Sequence, residues 1–136
     1  MLDEIADEPI DLIVLPEMAL IGYRFDNRED IAPYTESVPQ NIGTLIDNLE
    51  NDNQEEAKVN GACTFTWALK VSKRFSPAWV AVGFAERDTN DNYFNSAVVI
   101  SHSQRICHVI RKTLHFTDDK LWATLESSVS GREYNY

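Results

Sequence analysis

Apolar runs with strand character alternate along the chain with segments of helical spacing. Ile10 to Pro16 is a compact Ile, Val and Leu run of the length expected for a strand buried on both faces. Before it, Leu2 and Ile5 share a short helical face that Pro9 breaks, so residues 1–8 read as the tail of a helix. Residues 22–41 carry Gly22, Asn27, Pro33 and Pro39 and predict a long loop at the carboxyl end of the first strand. Ile42, Leu45, Ile46 and Leu49 then recur at helical spacing, before an acidic, amide-rich tract that reads as an exposed insertion over about residues 50–60. A second helix is expected from Gly61 to Phe75, with Ala62, Phe65, Leu69 and Ser72 on one face and Pro77 as its stop.

Trp79 to Glu86 is the next apolar strand, and strand, helix, strand in this order implies a right-handed crossover and a parallel pair. Phe94 to His102 and Arg105 to Lys112 flank a short turn at Ser103 and Gln104 and should form a hairpin. The fold class is therefore α/β with a mixed sheet, in a single domain over residues 1–136 whose pattern is lost after about residue 125. If these strands pair as described, Glu17, Glu86 and Lys112 converge on one end of the sheet, where sites form beyond parallel strands.

Composition narrows the function classes. The 136 residues hold 12 Lys and Arg against 22 Asp and Glu, a formal charge of −10, which argues against a broad basic face for nucleic acid or anionic lipid. No apolar run approaches the roughly 18 residues that span a bilayer. Cys63 and Cys107 are the two cysteines, and the Met-Leu-Asp-Glu start lacks a secretory pattern, so a cytoplasmic setting is expected. His102, His108 and His115 recur along a hairpin, where alternation would not bring all three onto one metal. Trp67, Trp79 and Trp122 lack basic neighbours for base stacking and read as core or pocket wall.

Three positions carry candidate chemistry. Glu17 follows a buried strand and Pro16, where partial desolvation would favour its proton and suit it to general base work; a solvated loop carboxylate is the plain alternative. Lys112 ends a strand and reads equally as an edge lysine. Glu86 reads as a strand-end residue beside Arg87.

Taken together, these positions fall in recognisable motifs. Leu15-Pro16-Glu17-Met18-Ala19-Leu20-Ile21-Gly22-Tyr23 resembles the glutamate motif of the nitrilase or carbon–nitrogen hydrolase superfamily. Val82-Gly83-Phe84-Ala85-Glu86-Arg87 followed by Tyr93-Phe94-Asn95-Ser96-Ala97 resembles its second-glutamate strand and Tyr-Asn-Ser turn, and Val109-Ile110-Arg111-Lys112-Thr113-Leu114 its Arg-Lys motif. Pro33-Tyr34-Thr35-Glu36 and Thr117-Asp118-Asp119-Lys120-Leu121-Trp122-Ala123 are most similar to the fungal protein N-terminal amidases, which deamidate amino-terminal Asn or Gln of proteins in the cytosol.

The resemblance implies an αββα sandwich with a Glu-Lys-Cys triad, needing no metal or cofactor. Glu17 would be the general base, Lys112 would stabilise the oxyanion, and Glu86 would hold the lysine in place and protonated. Substrates would be protein N-termini bearing Asn or Gln, or small amides or nitriles. The chain departs from this pattern because no cysteine follows Lys112, and Cys63 and Cys107 read as buried small residues. It is expected to be a partial domain, lacking the first strand and the C-terminal half, inactive alone. Its exposed sheet would then favour pairing with another copy.

Overall fold

A computed structural model describes residues 9–51, 63–125 and 131–134. The helix tail expected at 1–8 and nearly all of the acidic insertion lie outside the described residues. The sheet runs in the order β1 (Leu12–Val14), β2 (Trp79–Arg87), β3 (Tyr93–Ser101), β4 (Ile106–Arg111) and β5 (Gly131–Tyr134). β1 pairs parallel to β2, and the remaining neighbours pair antiparallel. The expected parallel pair and hairpin are both present. The fifth strand is an addition, since the sequence after Leu125 carries no clear strand period.

Two helices pack on one face. α2 (Ile42–Glu50) begins at Asn41, whose side chain accepts from the Thr44 N–H at 3.1 Å, satisfying one of the free donors of the first turn. α3 (Cys63–Arg74) lies against β2 and β3, with α2 beside it. The predicted loop 22–41 contains a short helix, α1 (Arg28–Ile31), and a 3₁₀ turn at Ala32–Tyr34. Asn27 caps α1 by accepting from the Asp30 N–H, and Glu29 and Asp30 complement its N-terminal dipole.

Alternation along the strands sorts side chains to two faces. Val80, Val82, Phe84, Val98, Ile100 and Val109 point at Phe65, Ala68 and Leu69 of α3. Phe65 and Phe84 meet edge to face at 5.1 Å, and burying each contributes about 1.5–3 kcal/mol. On the opposite face Ala85 and Tyr93 are covered by Met18, Ile31 and Trp122, and the stretch with Ala81, Ala97, Val99 and Ile110 has no covering layer among the described residues. Leu12 and Val14 are 56% and 66% exposed on it. This corrects the expectation that β1 is buried on both faces: only Ile13 packs on the core. Apolar composition marks a strand that wants cover on both sides, but does not say where the second cover comes from.

Candidate active site

Glu17 stands just beyond β1, whose pairing extends to the Leu15 N–H, bonded to Ala81 C=O at 2.9 Å. The chain then reverses in a tight turn in which Met18 C=O accepts from the Ile21 and Gly22 N–H groups. Met18 itself has φ +50°, an unfavourable left-handed conformation for a side-chain-bearing residue. It is held there by complete burial among Ile31, Ala85, Tyr93 and Trp122. Beneath the turn lies Gly83. A Cβ at that position would sit 2.7 Å from Met18 N and 3.2 Å from Glu17 Cα, so only glycine lets the turn rest on β2.

Lys112 immediately follows β4. Its backbone N–H donates to Asn95 C=O at 2.7 Å, extending the hairpin by one step. Its ammonium reaches Glu17 Oε1 at 2.7 Å and Asp119 Oδ2 at 2.7 Å. Asp119 opens a 3₁₀ turn (Asp119–Leu121) and also accepts from the Phe116 N–H and from Asn95 Nδ2, each at 2.8 Å. Asn95 Nδ2 donates in addition to Glu17 Oε1 at 2.5 Å. Two carboxylates, one ammonium and one amide thus share a single cluster. Asp119 was not singled out from sequence: it lies in an aperiodic loop, and only its place in a family-like segment pointed to it.

The electrostatics follow from the contacts. Partial burial opposes the charge on Lys112, but the hydrogen bonds and charges of Asp119 and Glu17 outweigh it and hold its pKa above the ordinary lysine value. Burial likewise opposes charge on Asp119, and bonds from Lys112, Asn95 and the Phe116 N–H outweigh it and hold its pKa below the ordinary value. Lys112 is therefore a fixed cation. Two of its three N–H bonds are engaged, which leaves one to meet an incoming oxyanion. Both contacts to Glu17 fall on Oε1; among the described residues, Oε2 takes no hydrogen bond and is available to a reacting proton.

Two expectations need correction. Glu17 is not desolvated by its position: its side chain is 50% exposed, because the open face supplies no wall beyond it. Glu86 does not hold Lys112. It lies at the same end of the sheet but on the other face, where alternation sets it beside Ser96 and Arg111, and its carboxylate accepts from Ser96 Oγ at 2.7 Å and Arg111 Nε at 3.0 Å. Arg111 also stacks over Phe94 at 3.6 Å. The buried Glu86–Arg111 pair fastens the helix-covered face, and Asp119 takes the place beside the lysine that had been expected for Glu86.

Neither cysteine joins the cluster. Cys107 is buried on the helix-covered face, where desolvation pushes its thiol pKa up to about 12, far from the range of a nucleophilic thiol. Cys63 is exposed at the start of α3, in the helical layer behind the sheet, rather than buried as expected. It lies off the stripe of Phe65 and Leu69 that faces the core. On the open face, a groove of about 360 Å³ runs from Val14 and Ala81 past Gly83 and Ala97 to Glu17 and Lys112. It has an apolar floor with convergent polar groups at one end, the general form of a small-molecule site.

The family model for carbon–nitrogen hydrolases matches residues 1–132, so the chain belongs to the carbon–nitrogen hydrolase family. Among curated relatives it is 29% identical over 120 residues to a protein N-terminal amidase of Schizosaccharomyces pombe, covering 86% of this chain and 35% of that protein. It is 27% identical over 112 residues to a protein N-terminal amidase of Saccharomyces cerevisiae, covering 82% and 20%. A crystal structure of N-terminal amidase with Asn-Glu-Ala peptide superposes with a TM-score of 0.67 at 25% identity, covering 92% of this chain and 25% of that one. The chain thus spans about a third or less of the length of the proteins it resembles. No helix among the described residues is long and apolar enough to cross a membrane.

Proposed function

We propose that this chain supplies the base and oxyanion-binding part of a Glu-Lys-Cys amidohydrolase that deamidates amino-terminal Asn or Gln of proteins, releasing ammonia. The observation that carries the reading is the Lys112 ammonium 2.7 Å from Glu17 Oε1 at the end of the open groove. The cysteine nucleophile would come from polypeptide outside these 136 residues. Glu17 would take the thiol proton, and the thiolate would attack the side-chain amide carbon. The free N–H of Lys112 would stabilise the resulting oxyanion, and Glu17 would pass its proton to the departing ammonia. Water, deprotonated by Glu17, would then hydrolyse the thioester to give Asp or Glu and the free thiol. The three side chains perform all of this without a metal or cofactor. The likeness to the two yeast amidases favours a protein N-terminus over a small free amide or a nitrile as substrate. The two free thiols suit a cytosolic setting, in which deamidation would feed degradation that reads the amino-terminal residue.

The test is ammonia release from a peptide beginning with Asn, assayed on a gene product that includes a nucleophilic cysteine. Glu17→Gln and Lys112→Ala should each lower turnover by at least about 100-fold. Unchanged turnover in either variant removes the mechanism. Faster turnover of a free small amide than of the peptide would move the substrate class.

A second reading rests on the open face itself. Leu12, Val14 and Ile110 are all more than two-fifths exposed there, and a sheet face of this kind favours pairing with another copy in an interaction module without activity. A stoichiometric oligomer in size-exclusion chromatography, with no hydrolase activity, would favour it over the first.

A further inference from the structure

Asn95 touches every member of the cluster. Its Nδ2 carries two hydrogens, and both are used: one on Glu17 Oε1 at 2.5 Å and one on Asp119 Oδ1 at 2.8 Å. Its backbone C=O receives the Lys112 N–H at 2.7 Å, which fixes where the lysine leaves β4. The residue is 4% exposed and sits centrally in the sheet, opposite Ala85 of β2, so its own position is set on both sides by strand pairing. No other described side chain bonds both carboxylates except Lys112, whose long stem has far more freedom.

We propose that Asn95 is a positioning residue that holds Glu17 and Asp119 on either side of the Lys112 ammonium. The inference rests on the amidohydrolase reading for its consequence, but not for its geometry. A neutral donor is what this place requires. Two carboxylates gathered around one ammonium leave a net negative charge, and the two N–H groups of Asn95 bond one oxygen of each while adding no charge of their own. An aspartate here would add a third carboxylate, and an apolar residue would leave Glu17 with the lysine alone and Asp119 with the lysine and the Phe116 N–H. In either case Glu17 is free to rotate away from the position in which Oε1 is held and Oε2 is open.

The Asp119 carboxyl signal followed by carbon-13 NMR against pH, with the positions of the Glu17 carboxyl and Lys112 Cε signals at neutral pH, tests this directly in the 136-residue chain. The groups facing Asn95 are those three, from the turn after β1, the 3₁₀ turn and the end of β4. In Asn95→Leu the Asp119 midpoint should rise and the Glu17 carboxyl signal should move, and in Asn95→Asp the Asp119 midpoint should rise further, because like charge adds to the lost donor. A merely structural asparagine would lower thermal stability in both variants while leaving the Asp119 midpoint and the Glu17 signal where they are, and that result overturns the proposal. Asn95→Leu is nearly isosteric and keeps the backbone bond to Lys112, so it stands as the readable variant if the buried aspartate prevents folding. The readout needs no turnover. An intact Asn95 effect in a protein with no amidase activity would count against the functional reading alone, whereas an unmoved Asp119 midpoint and Glu17 signal in an active enzyme would count against Asn95 alone.

Discussion

The two faces of the sheet are built from the same strands, residue by alternate residue, and differ in cover, in side-chain size and in how their charged residues are used. On the helix-covered face Phe84, Val98 and Ile100 are within 2% of full burial, and the charged pair at its end, Glu86 with Arg111, is buried and internally satisfied. On the open face, away from the Met18–Tyr93 cluster at its end, Leu12, Val14 and Ile110 are exposed and Ala81 and Ala97 are small, and the Glu17 carboxylate is half in solvent with hydrogen-bonding capacity left over. One face uses its polar residues to close the structure, the other to present chemistry. A carboxylate near an arginine or lysine at a strand end is therefore ambiguous until its face is known. Glu86 and Glu17 are the two answers.

That contrast can be broken first from the covered side. Phe65→Ala removes the ring that fills the centre of the helix–sheet interface and should cost about 3–5 kcal/mol in chemical denaturation, leaving little folded chain. Gly83→Ala acts from the open side: the new Cβ must push the Glu17–Met18 turn off β2, with a loss of about 1–3 kcal/mol. It should also displace the Glu17 carboxyl signal, which a core substitution of equal cost would not do.

Asp119→Asn sharpens the contrast through pH, at a cost on the order of 1 kcal/mol near neutrality. Asp119 has a folded pKa below its ordinary 3.8, so its contribution is present above that value and is lost as pH falls through the lower, folded one. Lys112 has a folded pKa above 10.5, so its contribution is complete below that value and is lost as pH rises through the higher, folded one. Stability measured from pH 3 to 11 should therefore show the variant approaching the unsubstituted chain at the acid end. Glu36 works in the opposite sense on the covered side. Burial pushes its pKa above the ordinary 4.5 more than its bonds from Thr64 pull it down, so its contribution is greatest in acid and fades as pH rises. The smallest effect is expected for Ile110→Ser on the open face, within about 0.5 kcal/mol. A loss as large as that for Phe65→Ala would mean that the face is covered after all.

The sequence carried much of this fold because strand and helix periods are local. The parallel pair, the hairpin and the helix stripe at Phe65 and Leu69 all follow from spacing. Cys63 was also legible, since it lies off that stripe, as was the face of Glu86, since Ser96 and Arg111 share its alternation. What spacing could not give was Asp119, brought back to the sheet by an aperiodic loop, or the double donation of Asn95, which depends on strand register. Nor could apolar composition reveal that β1 lies bare on one side. The short helix at Arg28–Ile31 was signalled by Asn27 followed by Glu29 and Asp30, a cap and an acidic first turn inside what otherwise reads as loop.

The central claim is that Glu17 and Lys112 form the working end of the open face. It is tested most directly by replacing the matched segment of the Schizosaccharomyces pombe amidase with the corresponding residues of this chain and measuring ammonia release from a peptide beginning with Asn. The account predicts turnover in the chimera and its loss on Glu17→Gln with the fold intact. A folded chimera that turns over equally with Gln at position 17 would contradict it.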